Sequence, residues 1–243
     1  MATVLRDAWK TLVPDLDSRH GPLPPLLLAL TVVTGLVDAF SYLVLGHVFV
    51  ANMTGNVVFM AFSLAGAEGF SLMASLVSLA SFVVGAVIGG RSANRFPDHR
   101  ARLLLAATAL EGVLVLAAYL SSELTADPPS TAARYLLIVL LGLAMGGQNA
   151  AARRLGVPDL TTTVLTQTIT GIAADGRLAG GTAGKTGTRA LSAIAMFLGA
   201  VAGGLLIHNS DPALPLLIAV LTLAAMVAVA ALQVRSTRPW IAA

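Results

Sequence analysis

The chain has no cysteine, little aromatic content (5%) and few charged residues (11%). Each shortage excludes a class of protein. Without cysteine there is neither a disulfide framework nor a thiolate metal site. The four histidines, His20, His47, His99 and His208, are scattered without ligand spacing. No Ser/His/Asp or Glu/His constellation is present, so no enzymatic activity, cofactor or metal is expected. A soluble domain carries about 25% charged residues. What fills this chain instead is apolar, at 56% of its 243 residues. A globule of that size cannot hide so much apolar surface from water, and the lipid bilayer is its natural solvent.

The net charge of +3 does not point to nucleic acid, because the basic residues sit in short segments between apolar runs. That is how membrane topology is encoded. Residues 1–23 hold Trp9, Leu12 and Val13 among Arg6, Lys10 and Arg19. They read as a cytoplasmic tail or a short interfacial helix. The apolar run that follows is too long for a cleaved signal peptide.

Eight apolar segments follow, at about 24–45, 50–66, 71–90, 103–121, 135–151, 160–174, 190–207 and 213–233. Six are long enough to cross about 30 Å of hydrocarbon at 1.5 Å per residue. The second and sixth are shorter, contain Thr or Asn, and are interrupted by Gly or flanked by Pro158. Charge decides between the possible arrangements. If all eight cross, nine basic residues face one side and six the other. If 50–66 and 160–174 enter and return on one side, only Arg134 is left outside and the split is fourteen to one. The positive-inside rule selects the second arrangement. It places both termini in the cytoplasm and the segments Glu123–Asp127 and His208–Asp211 outside. The expected domains are 24–122 and 135–234 as two membrane repeats, 123–134 as an external loop and 235–243 as a cytoplasmic tail.

The repeats are visible in two motifs. Gly35-Leu-Val-Asp38-Ala, followed by Val50-Ala-Asn52-Met-Thr54-Gly55-Asn56, has a variant about 110 residues later. The variant reads Gly146-Gly-Gln148-Asn149-Ala and Val164-Leu-Thr166-Gln167-Thr168. Gly85-Ala-Val-Ile-Gly89-Gly90 recurs as Gly199-Ala-Val-Ala-Gly203-Gly204. Asp38 precedes Gly85 by 47 residues and Asn149 precedes Gly199 by 50. In the six-span arrangement the first repeat starts inside and the second outside, so the repeats are inverted. The paired glycines, four residues apart on one helix face, suit close helix packing.

Asp38 lies in mid-span, where an ionised carboxylate costs about 2.5–3.5 kcal/mol or more unless paired or hydrated. It reads as a proton or cation site, or as an acid bonded to backbone at a helix break. Glu111 is the other acid deep in a long span, either a relay member or a single polar contact between helices. The Asn and Thr clusters of the two short segments bind solute or merely satisfy broken backbone, which lipid tolerates only when it is buried or lines a cavity. Arg153 and Arg154 read as a topology-setting cytoplasmic anchor or as a pair that attracts anions. The triplet Gly184-Lys185-Thr186 is no phosphate-binding loop, because Ala179 stands where the first glycine is required and no strand precedes it.

The runs Gly35–Ala39, Phe49–Asn56 (F-V-A-N-M-T-G-N) and Gln148–Gly156 (Q-N-A-A-A-R-R-L-G) resemble the YoaK-type family of multipass membrane proteins, a family of unknown function. The resemblance covers about 24–233 and implies about six spans. It departs from the family's T-T-x-x-T-G pattern at Gln167.

The expected protein is all-α and integral to the plasma membrane, with six spans, two short re-entrant or broken helices and two inverted repeats. Its expected function is a small transporter or channel, coupled to a proton or cation through Asp38. The pathway would be lined by Asp38, Asn52, Thr54, Gly55, Asn56, Glu111, Gln148, Asn149, Thr166, Gln167 and Thr168. The alternative is a non-transporting membrane protein that binds lipid or a partner protein. A homo-oligomer is compatible with either.

Overall fold

A computed structural model describes residues 2–125, 128–163, 165–176, 179–181 and 185–242. Asp127, Val164, Arg177 and Gly184, which figured in the loop and motif readings, lie outside the described residues. Among the described residues the fold is all-α. Six helices are long and apolar enough to span a bilayer: α2 (Leu23–Val44), α4 (Leu72–Arg95), α5 (Arg100–Glu123), α6 (Thr131–Leu155), α8 (Thr186–Asn209) and α9 (Leu214–Gln233). Three are short: α1 (Ala2–Leu12), α3 (Met53–Leu64) and α7 (Leu165–Ala174). A 3-10 turn, Pro239–Ile241, follows α9.

Local chemistry sets the ends. Pro24 and Pro25 open α2, where a missing N–H costs nothing. Ser71 and Ser130 cap α4 and α6 by accepting from Ala74 N and Ala133 N at 3.2 and 3.3 Å. Asn52 accepts from Gly55 N at the start of α3. Gly156, at φ +64°, closes α6 in the left-handed conformation that suits glycine.

The spans α2 and α6 are the most buried, and the other four surround them. The outer faces carry Val83, Val84, Val113, Leu120, Phe197, Leu198 and Leu221, all exposed. Apolar surface of that extent is stable only against lipid.

Glycine contacts fix the helix directions. On α4, Gly85 sits on the Leu143 backbone of α6 and Gly89 on that of Gly147, so α4 and α6 run parallel. On α8, Gly199 sits on the Val32 backbone of α2 and Gly203 on that of Leu36, so α2 and α8 run parallel. Gly146 and Gly35 return the contact, against Phe82 and Met196 respectively. Four-residue turns (96–99 and 210–213) make α5 antiparallel to α4 and α9 antiparallel to α8.

The short helices dip into the bundle and come back. After α2 ends at Val44, the chain returns level with Asp38, whose Oδ1 accepts from Val50 N and Ala51 N at 3.2 and 2.9 Å. Asp38 lies six residues before the end of α2, about 9 Å inside it. The segment then leads out through α3 to Gly69, whose carbonyl lies 3.0 Å from His47 Nδ1. Both ends are therefore on one side, and α4 descends antiparallel to α2. In the second half, Thr163 donates to Asn149 Oδ1, again six residues before the end of its span. Arg189, in the first turn of α8, bonds Asp159, just past α6, at 2.8 Å. That segment too enters and leaves at one end, the end opposite to the first.

Candidate functional site

The buried polar residues of α2 recur at helical spacing: Thr31, Thr34, Asp38 and Ser41. Thr31 and Thr34 donate to the carbonyls of Leu27 and Leu30 at 2.8 and 2.9 Å. Their hydroxyls are thereby satisfied within the helix and free to accept. Thr34 accepts from Gln148 Nε2 of α6 at 2.8 Å. Asp38 stands one turn further along. It is 4% exposed, and its Oδ2 is buried without a partner. Gln148 Oε1 is buried and unpartnered as well. The stripe thus presents two unsatisfied oxygens near the point where the broken chain re-enters.

Asn56 is fully buried and fully employed. Its Oδ1 accepts from Phe49 N at 3.0 Å, and its Nδ2 donates to Phe49 O at 2.7 Å and to Ser78 Oγ at 3.2 Å. Ser78 also donates to Phe49 O, at 2.6 Å. The side-chain amide acts as a substitute peptide group, pairing a stretch of backbone that belongs to no helix. Around it Tyr42, His47, Phe49, Phe59, Phe62 and Phe70 pack ring against ring at 4.9–6.5 Å. The second segment is held by charge instead. Arg189 bonds Asp159, Asp175 and the Gly171 carbonyl at 2.7–2.8 Å, and Lys185 lies 3.4 Å from Asp159.

The remaining expected residues are spread out. Asn52, Thr54, Thr166 and Gln167 are exposed, and Gly55 lies against the Phe49 ring. Thr168 is buried and Asn149 partly so. Glu111 is 2% exposed, with both carboxyl oxygens unpartnered. It lines a cavity of about 10 Å³ with Gly89, Ser92, Leu143 and Gly147, between α4, α5 and α6. A second cavity of about 10 Å³ lies between Thr31, Thr162, Thr163, Ser192 and Met196. Each has room for about one water, and neither is lined by Asp38. Side chains at Gly85, Gly89, Gly199 and Gly203 would strike the facing helix. One at Gly90 would meet nothing within 4 Å, and one at Gly204 only Leu43 Cδ1 at 4.0 Å.

Thr34, Ser78, the aromatic cluster and Arg189 were not picked out from the sequence. The spacing 31, 34, 38, 41 was the signal available for Thr34. The ring cluster joins residues up to 28 positions apart (Tyr42 and Phe70) through a loop whose path no local pattern specifies.

Six apolar spans, with the two short helices α3 and α7 packed on α4 and α8, define a polytopic α-helical membrane protein. The chain matches the family model described as "Protein of unknown function (DUF1275)" over residues 26–229, and it belongs to that family. It is 33% identical over 196 residues to the UPF0700 transmembrane protein YoaK of Bacillus subtilis (strain 168), covering 77% of this chain and 83% of that one. No solved structure matches it.

Proposed function

We propose that the protein is a small transporter or channel of the plasma membrane for a small polar solute or ion, in an occluded conformation. It has no catalytic reaction, and its termini are cytoplasmic. The observation that carries this reading is the free Oδ2 of Asp38. Accepting two backbone N–H groups requires only one oxygen, and in the other half the single Asn149 oxygen accepts from the Thr163 hydroxyl. The second oxygen of Asp38 adds a titratable group about 9 Å inside the end of its span, where such groups are costly and mark ion or proton paths. Asp38 is the coupling group, and Gln148 and Thr34 bind solute one turn away.

The two halves are inverted repeats. Gly199 follows Gly85 by 114 residues, and their backbone partners Leu143 and Val32 differ by 111. Gly203 follows Gly89 by 114, and their partners Gly147 and Leu36 again differ by 111. The non-glycine residues His47 and Asp159, 112 apart, both adopt positive φ, 56° and 63°. Such symmetry supports alternating access by exchange of the α4–α6 and α2–α8 interfaces.

Proton flux into proteoliposomes carrying an entrapped pH dye tests the reading. Asp38→Asn keeps the Oδ1 acceptor, so it folds, and it abolishes coupled flux. Flux unchanged from the parent protein removes Asp38 from the mechanism. The water-sized cavities favour a second reading, a non-transporting protein that binds lipid or a partner. In that case a cysteine at position 34 never reacts with a water-soluble maleimide. In a transporter it reacts when the pathway opens.

A further inference from the structure

At the end of the bundle where α2 and α5 begin and α4 and α6 finish, the α4–α5 turn and the last turn of α6 enclose a cavity of about 360 Å³. Its lining is Phe96, Pro97, Asp98, Arg100, Leu103 and Arg154. Arg100 is only 8% exposed. Its Nη1 donates to the Arg19 carbonyl at 2.9 Å, and its Nε is buried without a partner. Among the described residues, neither Arg100 nor Arg154 forms an ion pair. A buried guanidinium without a counter-charge is costly and awaits an anion.

Two further features agree. Arg100 opens the 24-residue helix α5, whose N-terminal end is electropositive. Nearby His20 is held below its ordinary value by burial and then by the charges of Arg100 and Arg19, so the local field is positive.

The cavity lies where spans leave the hydrocarbon, with Arg91, Arg95, Arg102 and Arg153 exposed on the same end. Phe96 and Leu103 give it one apolar wall. Asp98 offsets one of its two guanidinium charges, leaving a single positive charge on the lining side chains. That matches a phosphodiester, with one negative charge, better than free phosphate, which carries about −1.5 to −2 at neutral pH. We propose that this cavity binds the phosphate of an anionic phospholipid headgroup, with Arg100 and Arg154 as its cationic ligands. Basic pockets at the ends of spanning helices suit such headgroups.

Native mass spectrometry of the full chain in detergent, titrated with phosphatidylglycerol, phosphatidylcholine or inorganic phosphate, tests it. The parent protein retains one phosphatidylglycerol and melts at a higher temperature with it. Arg154→Gln, an exposed change that leaves folding intact, weakens this binding about tenfold, the effect of one charge-assisted hydrogen bond. Arg91→Gln, outside the cavity, leaves it unchanged. Equal losses in both variants mean diffuse surface attraction and overturn the site. An equal response to inorganic phosphate overturns the lipid assignment, and no retained phosphatidylglycerol overturns both.

Discussion

Asn56 shows what a single side chain does in a membrane where backbone has left the helix. It closes both polar groups of Phe49, a residue that neither α2 nor α3 can pair. Its loss leaves Phe49 N without its acceptor, while Ser78 still serves the carbonyl. Asn56→Ala is therefore expected to cost about 2 kcal/mol, the desolvation of one buried donor plus a lost hydrogen bond, measured by denaturant unfolding in micelles. Asn56→Asp keeps the acceptor for Phe49 N but sets a buried carboxyl oxygen against the Phe49 carbonyl in place of the Nδ2 donor, so at neutral pH it is expected to be no more stable than Asn56→Ala. His20 makes the second prediction at this scale. Its folded value lies below its ordinary 6.5, through burial first and then Arg100 and Arg19. The unfolded chain binds this proton more readily than the folded one, so stability falls as pH drops through and below 6.5. His20→Gln should flatten the melting temperature over pH 5.5–7.5 relative to the parent protein. The pairing of Asp38 with Asn149 was legible from the motif. The partners of Asp38 were not, because backbone N–H groups at Val50 and Ala51 carry no residue-type signature.

At the scale of the helix, close approach rather than hydrophobicity holds the halves together, since lipid is as apolar as the core. A methyl group at Gly85 would run into the Leu143 carbonyl, and one at Gly199 into the Val32 carbonyl. Gly85→Ala and Gly199→Ala are each expected to lower stability by about 1–3 kcal/mol through forced separation of the spans. Gly90→Ala, facing open space, should be neutral or slightly stabilising. Thermal melts of the three variants side by side check this, and a Gly90→Ala loss as large as the others would remove the close-packing argument. The motif was readable as a pair of matched hexapeptides, but the distinct places of Gly89 and Gly90 come from a rotation of about 100° per residue against a partner whose register no sequence pattern gives. The six spans were legible because length and hydropathy alone define them. Their ends were less so. The segment read as 71–90 continues to Arg95, since a helix does not stop where the hydrocarbon does and Arg91 and Arg95 carry it on into water.

The whole molecule is ordered by two segments that dip from opposite ends. Its first is closed by neutral aromatic rings and its second by the Arg189 ion pairs. The sequence reading of two re-entrant segments rested on charge, a fourteen-to-one split. The geometry reaches the same arrangement from contacts that charge does not influence: parallel α4–α6 and α2–α8 pairs, and both ends of each short segment tied together. Helix directions fix which loops share a side, and the excess of arginine on one end is the basis for proposing that end as the cytoplasmic one. Glu68, exposed between α3 and α4, lies on the end where α2 finishes. Lys185, with 58% of its side chain exposed, lies on the end where α8 begins. Those ends are opposite. The chain has no cysteine of its own, so a single cysteine at either place reports alone. On intact cells, Glu68→Cys should react with a membrane-impermeant maleimide, and Lys185→Cys only after permeabilisation. Reaction of both from one side would refute the helix directions, whereas a clean reversal would refute only the orientation. The second result would leave the helix directions standing and turn the protein over in its membrane, with the Arg-rich end outside.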